Sequence, residues 1–299
     1  MTRRRSGFQR KEFTNAILSM IPATMLFATI ILIPLALNLF FAFTDYDGLD
    51  PSFSYVGFDN FSKLLLRDPL FIASMTRTII YSMLSMSMGI LLQFTLAMVL
   101  YKGVLLAGFF KAVFYIPSML SMVIVSISWK GILRYGGVLN HLLKYAGFSN
   151  LAFDWLGDVN LVLPTIVLIS QWVYMGYGAM VLIGGLNSIP VELVESAQLD
   201  GASGARMFFS ITLPLIMHSV TVLLFMHITG SLTMFAIPFI MTQGGPRNAT
   251  ELISLNIYNN AFVYGRVGYA TAEALLFTIV VAAVGIFQLN ATRKREVQY

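Results

Sequence analysis

Uncharged polar side chains inside long apolar stretches are the residues of this chain best suited to binding chemistry. Ser170, Tyr174 and Tyr177 recur at i, i+4 and i+7, which puts them on one face of a helix. His227, Ser231 and Met234 repeat that spacing, with Gly230 beside them. Gln93, Gln171, Thr229 and Thr233 complete the polar inventory of the apolar stretches. Hydroxyl, amide and imidazole groups exchange hydrogen bonds with sugar hydroxyls, and aromatic faces pack on sugar rings, so this inventory suits a carbohydrate. A second reading stays open beside it: Tyr174 and Tyr177 as packing or interfacial aromatics, and His227 as a hydrogen-bonding partner of a neighbouring helix. Catalysis has less support. No G-x4-G-K-[ST] phosphate cradle is present. There is no cysteine, and His141, His218 and His227 are too dispersed for a local metal motif. No metal site is expected.

The elements that must hold these residues follow from the charges. Charged residues are 11% of the 299, against about 25% in soluble domains, while 57% are hydrophobic and the mean hydropathy is +0.77. Too few charges remain to coat a soluble surface of this size. A Lys, Arg or Asp at a membrane-helix centre costs about 2.5–3.5 kcal/mol on insertion scales, so charge-free gaps mark spans. Six such gaps occur, at 13–44, 78–101, 112–129, 159–191, 207–246 and 274–292. They predict spans over 14–43, 74–101, 106–129, 161–184, 215–241 and 270–291, the fold class being an all-α integral membrane bundle of six helices. The first span is far longer than the ~7–15 apolar residues of a signal peptide, so it reads as an uncleaved helix. Pro22, Pro34, Pro117, Pro164 and Pro238 lie in or near spans, where prolines are tolerated. Glu273, near a span end, is the one carboxylate within the spans as drawn. Proton-coupled carriers commonly need intramembrane ionisable groups, so this scarcity favours an external energy source.

Six spans put both termini on one side. That side, carrying 1–12, 102–111, 192–206 and 293–299, holds 11 of the 19 Lys and Arg in about half as many residues as the other side. The positive-inside rule makes it cytoplasmic, with Arg3, Arg4, Arg5, Arg10, Lys11, Arg293, Lys294 and Arg295 as its main signal. The net charge of +5 is thereby a topology signal, and no nucleic-acid partner is needed to explain it.

One loop on that side is acidic instead, with Glu192, Glu195 and Asp200 against Arg206. From Glu195 to Pro214 it reads ESAQLDGASGARMFFSITLP. This resembles the loop signature of binding-protein-dependent ABC importer permeases: E-A-A, three residues, G, nine residues, I-x-L-P. Glu195, Ala197, Gly201, Ile211, Leu213 and Pro214 fall in register, while Ser196 replaces the second small residue. The sequences around Trp172, Gly176 and Leu186–Pro190, and from Thr242 to Phe262, look like the carbohydrate branch of that family (maltose and glycerol-phosphate type).

The resemblance implies a division of the chain: a cytoplasmic segment 1–13, a first helix 14–43, an external loop 44–73, a permease domain 74–291 with its coupling loop at 187–214, and a cytoplasmic tail 292–299. It implies a coupling helix that seats in an ATPase groove, carried by Glu195, Ala197, Asp200, Gly201 and Pro214. Local chemistry supports a knob there. Asn187 or Ser188 can cap a helix and Pro190 suits a first turn. Glu192 and Glu195 then share a face, Gly201 can take a positive φ, and a second short helix can carry Arg206, Phe208 and Phe209 back to the membrane. Counted from the signature, Ser170, Tyr174, Tyr177, His227, Gly230, Ser231 and Met234 correspond to cavity-lining positions of maltose-type permeases, with Met234 and His227 departing from that pattern. The implied partners are a second, different permease chain, two ATPase subunits, an extracytoplasmic substrate-binding protein and membrane lipid. The implied location is a bacterial or archaeal cytoplasmic membrane. No cofactor belongs to this chain; ATP and Mg2+ are the partner ATPase's. An importer for another solute such as glycerol phosphate, or a secondary carrier or channel, stays open as an alternative.

Overall fold

A computed structural model describes residues 18–294. The segment 1–13, the start of the first span at 14–17, and the tail from 295, with Arg3, Arg4, Arg5, Arg10, Lys11 and Arg295, lie outside the described residues. Within them the chain is helical, with one isolated antiparallel bridge between Thr44 and Tyr55. Six stretches are long and apolar enough to cross a membrane: Leu18–Phe41, Pro69–Tyr101, Met122–Tyr145, Val162–Asn187, Met217–Met241 and Val267–Arg293.

Proline placement decides where these helices deviate. The first helix, α1 (Leu18–Phe41), widens into a π turn at Ala28–Leu32 just before Pro34, whose missing N–H and bulky ring an ordinary turn would not accommodate. After α2 (Asp59–Arg67), α3 (Pro69–Tyr101) begins with Pro at its first position and Asp68 as its cap, accepting from the N–H groups of Leu70 at 2.8 Å and Phe71 at 3.1 Å. It starts five residues before the predicted boundary, because Arg77 bounds a charge-free gap without ending a helix.

The third predicted span, 106–129, is not one helix. It is α4 (Ala107–Met119) and α5 (Met122–Leu133), separated by extended backbone at Leu120 and Ser121. The region taken as a loop after it contains α6 (Val138–Tyr145). Buried Asn140 ties this region together, donating to the carbonyls of Tyr135 and Phe153 and accepting from the Trp155 indole at 2.9 Å.

The fifth span is likewise divided, into α10 (Met217–Leu232) and α11 (Ala236–Met241). Pro238 stands four residues after Met234, and a continuous helix would drive its ring onto the Met234 carbonyl; the break at 233–235 removes that clash. The sixth long helix, Val267–Arg293, follows a shorter one at Ile253–Tyr258.

Two compact units result. One comprises residues up to Arg67 together with Ile257–Leu276. Here Asn60 donates both amide hydrogens, to the carbonyls of Ala42 and Thr44 at 2.9 and 2.8 Å, and Phe41 stacks on Tyr46. Glu273 is fully buried in this unit and accepts a 2.9 Å hydrogen bond from Asn260.

The other unit comprises Asp68–Asn256 and the chain from Phe277. Its centre is α7 (Val162–Asn187), the most deeply buried of the membrane-length helices among the described residues. Two apolar clusters sit along α7: one includes Val162, Ile166 and Val173 with Tyr81, Val125 and Ile237; the other includes Ala179, Leu182 and Leu186 with Ala97, Val220 and Leu223. Lipid is as apolar as these side chains, so the helices are held by close packing and interhelical hydrogen bonds. Gly176 supplies the closest packing: a Cβ there would collide with the Phe114 carbonyl of α4.

Candidate functional site

Between those two apolar clusters α7 turns polar. The wall facing it is a ridge on α3, where Tyr81, Ser85, Gly89 and Gln93 follow one another at intervals of four residues. Ser170 donates to its own Ile166 carbonyl at 2.9 Å, which leaves Tyr81 as donor in the 2.6 Å bond between the Tyr81 hydroxyl and Ser170 Oγ. One turn on, Gln171 Nε2 donates to Ser85 Oγ at 2.7 Å. Ser82 and Ser231 share a hydrogen bond between α3 and α10. His227 Nε2 lies 2.8 Å from Gln93 Oε1, and Gln93 Nε2 points to the Tyr174 carbonyl at 3.3 Å. Interhelical side-chain bonds in membranes average about 0.6 kcal/mol, so this set fixes positions more than it supplies stability. Gly89 makes the arrangement possible, since a Cβ there would occupy the space taken by the His227 ring and the Gln171 side-chain oxygen.

These walls line a half-open cavity of about 490 Å³. Ser170, Tyr174 and Tyr177 line it from α7; His227, Gly230 and Ser231 line it from α10, and Met234 from the break that follows. The structure thus brings all seven sequence-selected residues to one place, but Met234 arrives there from outside the helix that its spacing implied. Tyr177 stacks on Tyr115 and reaches toward the Met226 sulfur at 3.6 Å. Trp129 packs its edge against Trp172. Sequence reasoning passed over Ser85 and Ser118 and did not rank Gln93 and Gln171 above other polar groups, although all four line the cavity. The four-residue recurrence of small or polar residues on α3 was the signal that could have found the facing wall.

The five residues of the acidic loop form a second, separate feature. Here α8 (Val191–Leu199) presents Glu192 and Glu195 outward, while Ala197 is buried. Pro190 is the N-cap, and no side chain caps the helix; Ser188 Oγ instead bonds back to the Gly185 carbonyl, closing α7. At the other end Asp200 is the C-cap and Gly201 has φ +80°. The N–H of Ala202 reaches the Ala197 carbonyl at 2.9 Å and that of Gly201 the Gln198 carbonyl at 3.0 Å. This pair of bonds is the Schellman arrangement, which requires a left-handed residue at Gly201. The returning helix, α9 (Gly204–Met207), runs into a π turn at Phe208–Thr212 that precedes Pro214, as one precedes Pro34. Arg206 lies on α9, and Phe208 packs edge-on against Phe94 of α3.

Six apolar helical stretches and a cavity walled by uncharged polar groups define a multi-pass membrane protein. Residues 85–296 match the family described as binding-protein-dependent transport system inner membrane component, and the chain belongs to that family. Among its relatives, a probable ABC transporter permease protein, YurN, of Bacillus subtilis is 33% identical, the match covering 91% of this chain and 94% of the relative. MsmF, a multiple sugar-binding transport system permease protein of Streptococcus mutans, is 31% identical over 88% of this chain and 90% of its own. Among solved structures, a chain of a bacterial ABC transporter that imports the acidic polysaccharide alginate superposes with a TM-score of 0.81, at 27% identity, over 98% of this chain and 99% of that one.

Proposed function

We propose that this chain is the permease subunit of an ATP-driven importer and lines the path of a sugar or oligosaccharide. The observation that carries the proposal is the cavity: the seven residues selected from the sequence, five of them bearing hydroxyl, phenol or imidazole groups, converge on one half-open space in a membrane bundle. The names of sugar-transport relatives support the substrate class. In this reading a binding protein outside the cell membrane delivers the solute. This chain and a second, different permease chain form the path, and two ATPase subunits, which bind the ATP and Mg2+, dock on the cytoplasmic face. The termini and the loop carrying α8 lie on that face, and Glu195, Ala197, Asp200, Gly201 and Pro214 shape the contact with one ATPase. ATP shifts the assembly between inward- and outward-open states only as far as it binds them with different affinity, and α8 carries that difference into the bundle.

The test uses the reconstituted importer with its ATPase and binding protein. ATP-dependent sugar uptake falls at least several-fold in His227→Ala and Ser231→Ala with the subunits still copurifying. Glu195→Lys loses the ATPase, or keeps it and loses substrate-stimulated hydrolysis. Uptake that persists without the ATPase, or is unchanged in all three variants across a panel of sugars, overturns the proposal.

A further inference from the structure

We infer that an apolar groove on the outside of the bundle holds an acyl chain of an anionic phospholipid, whose phosphate is held by Arg206 and Arg293. The site is separate from the proposed solute path, and its test does not depend on that path.

Three observations carry it. The first is the groove itself. α3, α10, the π turn at Phe208–Thr212 and the end of the sixth long helix line a second half-open space of about 560 Å³, within the ~300–1,000 Å³ of small-molecule sites. Phe94 and Phe208, packed edge-on, form part of its wall, and Leu224 faces them from α10. Leu91 and Phe209 also line it and are 67% and 65% exposed, so the groove opens on the surface of the bundle. Leu223 lines both this groove and the polar cavity, so a bound chain packs on the back of the cavity wall.

The second is what the groove offers a ligand. Thr292 is the one lining residue with a hydroxyl, and that hydroxyl is committed: it donates to the Gln288 carbonyl at 3.0 Å and accepts from Gln288 Nε2 at 3.1 Å. A sugar placed there would give up its hydrogen bonds to water without replacement, at high cost. An alkyl chain gives up none.

The third is charge. Arg206 stands two residues before Phe208, and Arg293 directly follows Thr292, so each cation adjoins a lining residue. Both are exposed and both stand at the edge of membrane segments: Arg293 ends the sixth long helix, and Arg206 lies on α9 ahead of α10. Neither has an ion-pair partner among the described residues. The carboxylates nearest in sequence to Arg206, those of Asp200, Glu195 and Glu192, belong to α8 and its C-cap, and none lines the groove. An apolar slot with two unpaired cations beside it matches a chain joined to an anionic headgroup. A zwitterionic headgroup brings its own cation and gains less. Each basic residue near a membrane surface favours the anionic lipid by about fivefold.

The experiment photolabels the intact importer in detergent. The probes are a phosphatidylglycerol and a phosphatidylcholine with the same chains, each carrying a diazirine on one acyl chain, and labelled peptides are mapped by mass spectrometry. Phosphatidylglycerol labels the peptides containing Phe209 or Leu224 saturably, at a concentration at least about tenfold below that needed for phosphatidylcholine. Arg206→Gln and Arg293→Gln each weaken phosphatidylglycerol by about fivefold and leave phosphatidylcholine unchanged, and the double variant brings the two lipids within about twofold. Leu224→Trp fills the groove and lowers labelling by both; the arginine variants, at exposed positions, keep the test decisive where this one fails to assemble. Equal affinity for the two lipids, or a preference that survives the double variant, overturns the anionic site. Labelling that Leu224→Trp leaves unchanged puts the chain elsewhere and overturns the groove. So does an absence of saturable labelling in the intact importer, the result expected where the second permease chain covers this face.

Discussion

The acidic loop and the polar cavity belong to the same compact unit, yet they are built in opposite ways. The loop is closed by bonds between residues two to five apart in sequence, such as Gly201 to Gln198 and Ala202 to Ala197. The cavity is closed by pairs 81 to 149 residues apart, such as Gln93 to Tyr174 and Ser82 to Ser231. A feature made of local bonds keeps its shape when its surroundings change. One assembled from three helices depends on every contact that sets their spacing. Substitutions in the two regions should therefore fail differently.

The largest effect is expected at Gly176, where α4 and α7 touch backbone to backbone. Gly176→Val forces two helices apart; overpacking of this kind costs typically 1–3 kcal/mol, about fivefold to 150-fold in an equilibrium, and here nothing flexible can yield. The variant should insert poorly and lose thermal stability in detergent, and a melting curve equal to wild type would break the claim that spacing governs the cavity.

Gly201→Val comes next. A β-branched residue at φ +80° is a steric outlier, costing at least about 1–2 kcal/mol locally. The bundle should melt as wild type does while transport collapses, which a melt and an uptake assay on one preparation would separate. If the melt shifts as well, the loop is not the self-sufficient element its bonds imply.

Ser231→Arg probes the cavity without altering helix packing at a distance. It removes the bond to Ser82 and brings an unpaired charge to a site that is 5% exposed. Uptake should be lost with only partial loss of thermal stability, and Ser231→Ala should lie between this variant and wild type. Equal uptake in the two variants would show that charge does not matter there.

Smallest is Glu195→Gln. The side chain is exposed, and an exposed ion pair is worth at most about 1 kcal/mol, so under the proposed contact ATPase affinity should change by fivefold or less and the change should vanish at high salt. A larger, salt-insensitive loss would mean that the partner buries Glu195 completely.

The same contrast explains what could be read from the sequence. The loop was legible nearly residue by residue, including the positive φ of Gly201, because its geometry follows from neighbours. The exception is the capping: Pro190, not Asn187 or Ser188, holds the start of α8. The six membrane spans were legible in number, and five of them in position, because charge is excluded from lipid over lengths that exceed any local ambiguity; the third, expected over 106–129, falls instead at Met122–Tyr145. Half of the cavity was legible, the half on helices α7 and α10, through i, i+4, i+7 spacing. The α3 wall was not ranked, because a serine in a membrane helix can as easily bond to its own backbone; Ser87 does, donating to the Met83 carbonyl. The breaks at Leu120 and at 233–235 escaped because hydropathy is blind to backbone conformation. Pro238 gave notice of the second of them, through the carbonyl four residues ahead of it.

Most hydrogen bonds that close the 185–202 knob begin and end inside it, from Ser188 back to Gly185 through to Ala202 and Ala197, with Tyr101 of α3 adding one from outside to the Leu186 carbonyl. Such a segment behaves as an interchangeable fitting. Grafted onto a related bundle, it would bring its own geometry without redesign of the helices that receive it. Under the proposed ATPase contact, evolution could likewise refit one bundle to a different motor by changing a stretch of surface while leaving the solute's surroundings untouched.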